Sequence, residues 1–274
     1  MRHLGLTARM AVAGSILFAF YAVAAVVVMG VFGWPLWLVL AGSVAFVGVQ
    51  YKVGKWMALR SVGAEDLPED RAPDLHRRVE SLAADMGIEK PRLMIASMGV
   101  PNAFAVGRKG AGTVVVSEEL LASLTTEEIE GVLAHELAHV RNRDVVMMVL
   151  GQGVASIVAI VAQWAVLLTG DNDLADFFLA IVVGQVVQML VMLFVFAISR
   201  YREYVADSDA ASAIGGGEPL ARALQKISDG NERARESAVD EQVNALCIFG
   251  EKRRRARLFA THPPIEKRIE RHRA

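Results

Sequence analysis

The chain has a single cysteine, Cys247, in 274 residues, so no intramolecular disulfide can brace it. One thiol fits a reducing compartment and excludes a disulfide scaffold. Aromatic residues are also sparse, at 7%, and long stretches carry no charge at all. No Asp, Glu, Lys or Arg occurs in the 42 positions from Met10 to Tyr51, the 26 from Val145 to Gly170, or the 23 from Phe177 to Ser199. Yet 22% of the chain is charged, so its apolar excess (54%, mean hydropathy +0.37) is segregated rather than diluted. A bilayer crossing takes about 20 apolar residues at ~1.5 Å each. An ordinary soluble globule and a disordered tail are both excluded.

The 42-residue run is too long for one crossing. Gly33-Trp34-Pro35 supplies a break, because proline lacks an amide donor and glycine weakens a helix. The reading is a hairpin with spans at 10–32 and 34–50, followed by a second with spans at 145–169 and 177–199. A cleaved leader competes for the first span, on Arg2, Arg9 and Ala22-Val23-Ala24, but the apolar run continues for eight residues past that point.

Basic residues set the orientation. Arg2, Arg9, Lys52, Lys55, Arg60, Arg141, Arg143, Arg200 and Arg202 flank the spans on one side, while the hairpin turns hold no cation. Both termini and both polar regions are therefore expected on the cytoplasmic side. The chain divides into a membrane hairpin (1–51), a polar part (52–144), a second membrane hairpin (145–199) and a polar part with a basic tail (200–274). From Glu251 to Ala274 nine Lys/Arg face three acids, a net +6 against −7 elsewhere. Anionic headgroups explain such a cluster beside a membrane, and no nucleic-acid partner is expected.

The two polar parts together suffice for one modest core. Ala64–Pro73 reads as an exposed linker. Leu75, Val79, Leu82 and Ala83 predict a helix over 74–86, with Asp74 as N-cap. Short strands are expected at 92–97, 103–106 and 113–117, and a helix from Thr126 through His139. Gly215-Gly216-Gly217 is a flexible connection, since no Lys-Ser/Thr follows to make a phosphate loop. The fold class is an α+β membrane protein: four transmembrane helices in two hairpins and a body with a small sheet, antiparallel in part.

Two of the six histidines fall in His135-Glu136-Leu137-Ala138-His139. Positions i and i+4 lie about 40° apart on a helix, so both imidazoles can share one metal, with Glu136 placed beside that face. The bland reading is a helix with two solvated or core histidines. A catalytic zinc needs a third protein ligand. Asp144 is one candidate, but five residues after His139 on the same helix it suits a supporting role better. Glu203 is the stronger one. The third span starts about six residues (~9 Å) beyond His139, and the fourth ends about four residues (~6 Å) before Glu203. An antiparallel hairpin then returns Glu203 to the depth of His139. Asp207, at i+4 from Glu203, is placed to accept the N–H of a ligating histidine. Ion pairs with Arg200 or Arg202 are the competing reading of both acids.

HELAHVRNRD (135–144), SRYREYVAD (199–207), PNAFAVG (101–107) and THPPIEKRI (261–269) together resemble the HtpX family of membrane-integrated zinc metalloproteases, relatives of the CAAX prenyl proteases. The resemblance covers nearly the whole chain. It implies a gluzincin-like cytoplasmic domain in which His135, His139 and Glu203 ligate one Zn2+, Glu136 is the general base and Asp207 supports a ligand. Asn102 and Ala103, opening the Ala103–Val106 strand, would form the edge on which an extended substrate lies. His262 would stabilise the tetrahedral intermediate. His3, His76 and His272 read as solvated. The implied activity is endopeptidase cleavage at the cytoplasmic face of the plasma (inner) membrane, in quality control of misfolded or damaged membrane proteins. Its partners would be polypeptides and the lipid bilayer.

Two other readings compete. A non-enzymatic four-span transporter or scaffold would be expected to carry ionisable groups mid-membrane, where this chain offers only Gln152, Gln163, Gln185 and Gln188. A prenyl-protein processing metalloprotease would be expected to have more spans, enclosing a chamber.

Overall fold

A computed structural model describes residues 4–171, 173–236 and 263–273. The elements run α1 (Leu4–Phe32), α2 (Leu36–Ser61), β1 (Glu65–Asp66), α3 (Pro73–Asp85), β2 (Arg92–Ala96), β3 (Ala103–Val106) and β4 (Thr113–Ser117). They continue with α4 (Glu118–Ser123), α5 (Thr126–Asn142), α6 (Asp144–Thr169), α7 (Leu174–Ala213), α8 (Glu218–Glu236) and α9 (Ile265–Arg273). The chain forms two compact units: Met1–Val53 with Met147–Ile198, and Gly54–Val146 with Ser199–Ala274.

The first unit is helical, and α1, α2, α6 and α7 are each long and apolar enough to cross a membrane. Large apolar side chains such as Phe18, Val26, Trp37 and Leu174 point outward. That outward placement suits lipid and would be a liability in water. Inside, Leu17, Ala155, Val191 and Val195 form a buried cluster, and Phe20 packs on Phe194 with ring centroids 6.3 Å apart. Two polar bonds tie helices together: Tyr21 Oη to Ser43 Oγ at 3.1 Å, and Gln50 Nε2 to Ser156 Oγ at 3.4 Å.

The second unit is built on a four-stranded mixed sheet of order β1-β2-β4-β3. β2 and β4 run parallel, while β1·β2 and β3·β4 are antiparallel. Alternation assigns the two faces. Leu93, Ile95, Ala103, Ala105, Val114 and Val116 join the main core with α3, α5 and α8. Met94, Ala96, Val115 and Phe104 turn to a second cluster with Leu59 and Val62. Both faces of β4 are therefore covered, which is why Val114-Val115-Val116 is an unbroken apolar run rather than an alternating one. The fold is an α+β membrane protein with four apolar helices and a small mixed sheet.

Two local readings of the sequence are corrected. Ala64–Pro73 is not simply a linker: Glu65 and Asp66 pair with Ile95 and Met94 to make β1, and Leu67 is buried in the core. The N-cap of α3 is Ala72 rather than Asp74, because Pro73 already occupies the first helical position, where its missing donor costs nothing.

Ser117 ends β4 and begins α4. Its buried Oγ accepts from the N–H groups of Leu120 (3.0 Å) and Asn102 (2.9 Å) and donates to the Val100 carbonyl (3.0 Å). One hydroxyl thus pins the start of β3 to the end of β4.

Candidate metal centre

α5 begins at a capping box. The Thr125 hydroxyl accepts the Glu128 N–H, and the Glu128 carboxylate accepts the Thr125 N–H at 2.8 Å. The helix packs on α3, β3 and α8. Gly131 permits the last contact, since a Cβ there would sit 2.9 Å from the backbone nitrogen of Leu220.

His135 and His139 stand one turn apart on α5, with their Nε2 atoms 3.1 Å from each other and their rings at 89°. Glu203, on α7, closes a triangle. Its Oε2 lies 3.5 Å from His135 Nε2 and its Oε1 3.4 Å from His139 Nε2. Donors bound at ~2.0–2.2 Å to a tetrahedral ion lie about 3.3–3.6 Å apart, so this spacing fits one cation held by all three residues. His135 is 2% exposed and Glu203 4%. These are the three residues that the structure brings within metal-sharing distance among those described.

Each imidazole turns its Nδ1 to a carboxylate. His139 Nδ1 is 2.6 Å from Asp144 Oδ2, and His135 Nδ1 is 3.1 Å from Asp207 Oδ1. Such pairs fix the ring and its tautomer so that Nε2 faces the centre. Asp144 reaches His139 by a route the sequence did not suggest. The two residues are not on one helix, because Arg143 adopts a left-handed conformation (φ 58°, ψ 37°) that ends α5 and starts α6 at Asp144. With the helix broken there, the Asp144 carboxylate meets the His139 imidazole.

The ion pairs also differ from those first considered. Arg202 bonds Asp144 and, at 2.8 Å, the Asn142 carbonyl. Glu203 and Asp207 instead meet Arg268 of α9, which is fully buried. Arg268 Nε and Nη2 donate to the two Asp207 oxygens at 2.9 and 2.6 Å, and Nη1 lies 3.2 Å from Glu203 Oε2. The reading of the sequence missed Arg268. A signal was available: Arg268 stands one turn after apolar Ile265 and next to Ile269, at the border of the helix's apolar stripe, an odd place for a cation without a buried partner. His272, one turn on, is also not solvated. Its Nε2 is 3.7 Å from Asp207 Oδ1, and Gly217 makes room for its ring, since a Cβ there would lie 2.5 Å from Nδ1. His76 is likewise buried and donates to the Leu67 carbonyl at 2.8 Å. His3 and His262 lie outside the described residues.

The field at the centre is strong. Burial and Arg268 both oppose protonation of His135, but Asp207 and Glu203 outweigh them and push its pKa up to about 9. Burial lowers that of His139. Burial also raises the Glu136 carboxyl above its usual range, against the nearby histidines and a hydrogen bond from the Ala105 N–H. Glu136 is thereby tied to β3, the outer strand of the sheet. Asn102, just before it, is 1% exposed. Its carbonyl accepts from Ser117 N at 2.9 Å, and its Nδ2 points to Met98 Sδ at 3.7 Å. Ala103 is fully buried.

Comparisons with known proteins agree with one another. Residues 69–274 match the model of peptidase family M48. The chain is 62% identical to a protease HtpX homolog of Halobacterium salinarum, over 96% of this chain and 99% of that one. It is 37% identical to one of Moorella thermoacetica, over 97% and 92% respectively. Among solved structures, S. mikatae Ste24p shares the fold with a TM-score of 0.60 at 20% identity, covering 97% of this chain. The chain spans 63% of the length of that protein. Since the family model matches residues 69–274, a span that holds the His135, His139 and Glu203 cluster, and since the HtpX relatives match along nearly the whole chain with its four apolar helices, the chain belongs to peptidase family M48 as a membrane-integrated protease of the HtpX group.

Proposed function

We propose that the protein is a zinc-dependent endopeptidase with His135, His139 and Glu203 as ligands. The observation that carries this reading is the convergence of three side chains: the two Nε2 atoms lie 3.1 Å apart, with one Glu203 oxygen 3.5 Å from His135 and the other 3.4 Å from His139. Two imidazoles and one carboxylate are a donor set typical of catalytic zinc. Zinc bound there supplies a Lewis acid that polarises a peptide carbonyl and acidifies water. Glu136 acts as general base: its carboxylate takes a proton from the attacking water and passes it to the departing amine. Its buried position keeps that proton affinity high, and the Ala105 N–H holds the carboxylate in place. Asp144 and Asp207 orient the two imidazoles.

An extended polypeptide lies along β3. In an antiparallel pair, alternate residues direct their main-chain groups away from the partner strand. Asn102 bonds toward β4 through Ser117, whereas the Ala105 N–H turns toward Glu136. Ala103 directs its main-chain groups to the same side as Ala105; it is fully buried here, so a substrate strand gains those groups by displacing what covers them, while Asn102 anchors the strand from behind. Recognition through the main chain gives loose sequence selectivity, which suits a protease that removes misfolded or damaged membrane proteins. The placement of basic residues supports a site at the cytoplasmic face of the plasma (inner) membrane, with both termini inside and the boundaries 1–51, 52–144, 145–199 and 200–274. His262 is retained as a candidate stabiliser of the developing oxyanion.

The test uses the full chain in detergent. Wild type and Glu136→Gln are compared for zinc content and casein cleavage. Equal zinc with cleavage reduced by about 10²–10⁴ supports the base assignment. Undiminished cleavage by Glu136→Gln removes Glu136 from that role, and wild type without zinc removes the reading altogether.

A further inference from the structure

We propose that Arg268 is a positioning residue of the metal centre, setting the orientation of two of its three donor groups from the C-terminal helix. The inference rests on the metal reading above. Arg268 is the largest side chain among those fully buried, and a buried guanidinium persists only where its charge and donors are matched. Here the matching is done by residues of the centre. Nε and Nη2 grip both oxygens of Asp207 in a fork (2.9 and 2.6 Å), which fixes the plane of that carboxylate. The same Asp207 Oδ1 lies 3.1 Å from His135 Nδ1, so the plane set by Arg268 aims the imidazole. Nη1 lies 3.2 Å from Glu203 Oε2, and Nη2 lies 3.3 Å from His135 Nε2. One planar cation therefore touches a ligand carboxylate, a ligand imidazole and the acid between them.

The chain supports this placement from behind. His272, one turn after Arg268, approaches the same Asp207, and the absent side chain of Gly217 leaves room for its ring. Ile265 and Ile269 of the same helix pack on the main core. The centre thus draws on three separated stretches: α5, α7 and α9. Arginine is needed rather than lysine, because a compact ammonium cannot hold both Asp207 oxygens and reach Glu203 together.

The experiment measures Co2+ and Zn2+ affinity by chelator competition, with the Co2+ ligand-field spectrum as a report on geometry, in full-length wild type, Arg268→Lys and Asp207→Asn. Apo-protein thermal unfolding is recorded alongside. Arg268→Lys should unfold near the wild-type temperature yet bind metal about ten- to a hundredfold more weakly with a shifted spectrum, and Asp207→Asn should do the same. The double variant should lose little more than either single one, since both act through the same contact. Wild-type affinity and spectrum in Arg268→Lys overturn the proposal in favour of simple charge balance. If Arg268→Lys does not fold, Asp207→Asn decides: normal metal affinity there overturns the proposal as well. Wild type that binds neither ion sinks the metal reading instead, a result distinct from unaffected variants.

Discussion

His139 Nδ1 lies 2.6 Å from Asp144 Oδ2 although the two residues sit on different helices, joined by a left-handed Arg143. Arg202 holds the far side of that carboxylate, and Arg268 holds Asp207 behind His135 in the same manner. Each imidazole is therefore backed by an aspartate that is itself backed by an arginine. We expect Asp144→Asn to weaken metal affinity about ten- to a hundredfold, because the amide no longer fixes the ring as a charged acceptor does. Chelator competition checks this, and unchanged affinity would show that the pair is dispensable.

Glu203 brings its carboxylate to within 3.5 Å of both imidazoles, and the proposed role as third ligand can be tested directly. Glu203→Ala should purify with little or no zinc and no casein cleavage, while its far-ultraviolet circular dichroism stays close to wild type. Stripping wild type with a chelator should abolish cleavage likewise, and added zinc should restore it. Full zinc occupancy in Glu203→Ala would transfer the third ligand's role to another acid.

Ser117 satisfies three partners with one buried hydroxyl. Ser117→Ala strands the N–H groups of Asn102 and Leu120, at a cost of about 2–3 kcal/mol. The unfolding midpoint of the detergent-solubilised protein should fall accordingly. Because β3 loses its anchor, KM for a peptide substrate should rise more than kcat falls.

Glu128 gives the pH dependence. Burial acts to raise its carboxyl, but Lys226 Nζ at 2.7 Å and the Thr125 N–H at 2.8 Å outweigh that and hold it below the ordinary value. A group depressed in the folded state stabilises it above the unfolded pKa, near 4.3, and that stabilisation is lost as pH falls through the folded value. Glu128→Gln should therefore cost roughly 1 kcal/mol at neutral pH, and the gap from wild type should close below about pH 4. Denaturant unfolding at several pH values measures it, and a gap that widens on acidification would contradict the sign.

The parts legible in the sequence were those set by fixed periodicities. An i, i+4 spacing on a helix leaves little freedom, so His135 and His139 could be paired from the sequence alone. Glu203 could be reached because charge-free runs have lengths that a bilayer dictates. The body was harder. Arg143 gives no sign of its positive φ, since only its neighbours' packing selects that state, so Asp144 was misplaced on the helix before it. β1 is two residues long and polar, with Leu67 as its sole apolar cue, and its pairing is decided by β2. His76 and His272 carry no local mark of burial either, because what covers them comes from elsewhere in the chain.

Asp207 follows Glu203 by four residues on α7, so the two acids leave one face of the helix about 40° and ~6 Å apart. A single residue inserted between them would rotate one acid about 100° away from the other, and Arg268 could no longer span both. Residues gained or lost at the Leu174 end leave that spacing untouched. Length can therefore drift at one end of α7, while the four-residue step between the acids tolerates no insertion.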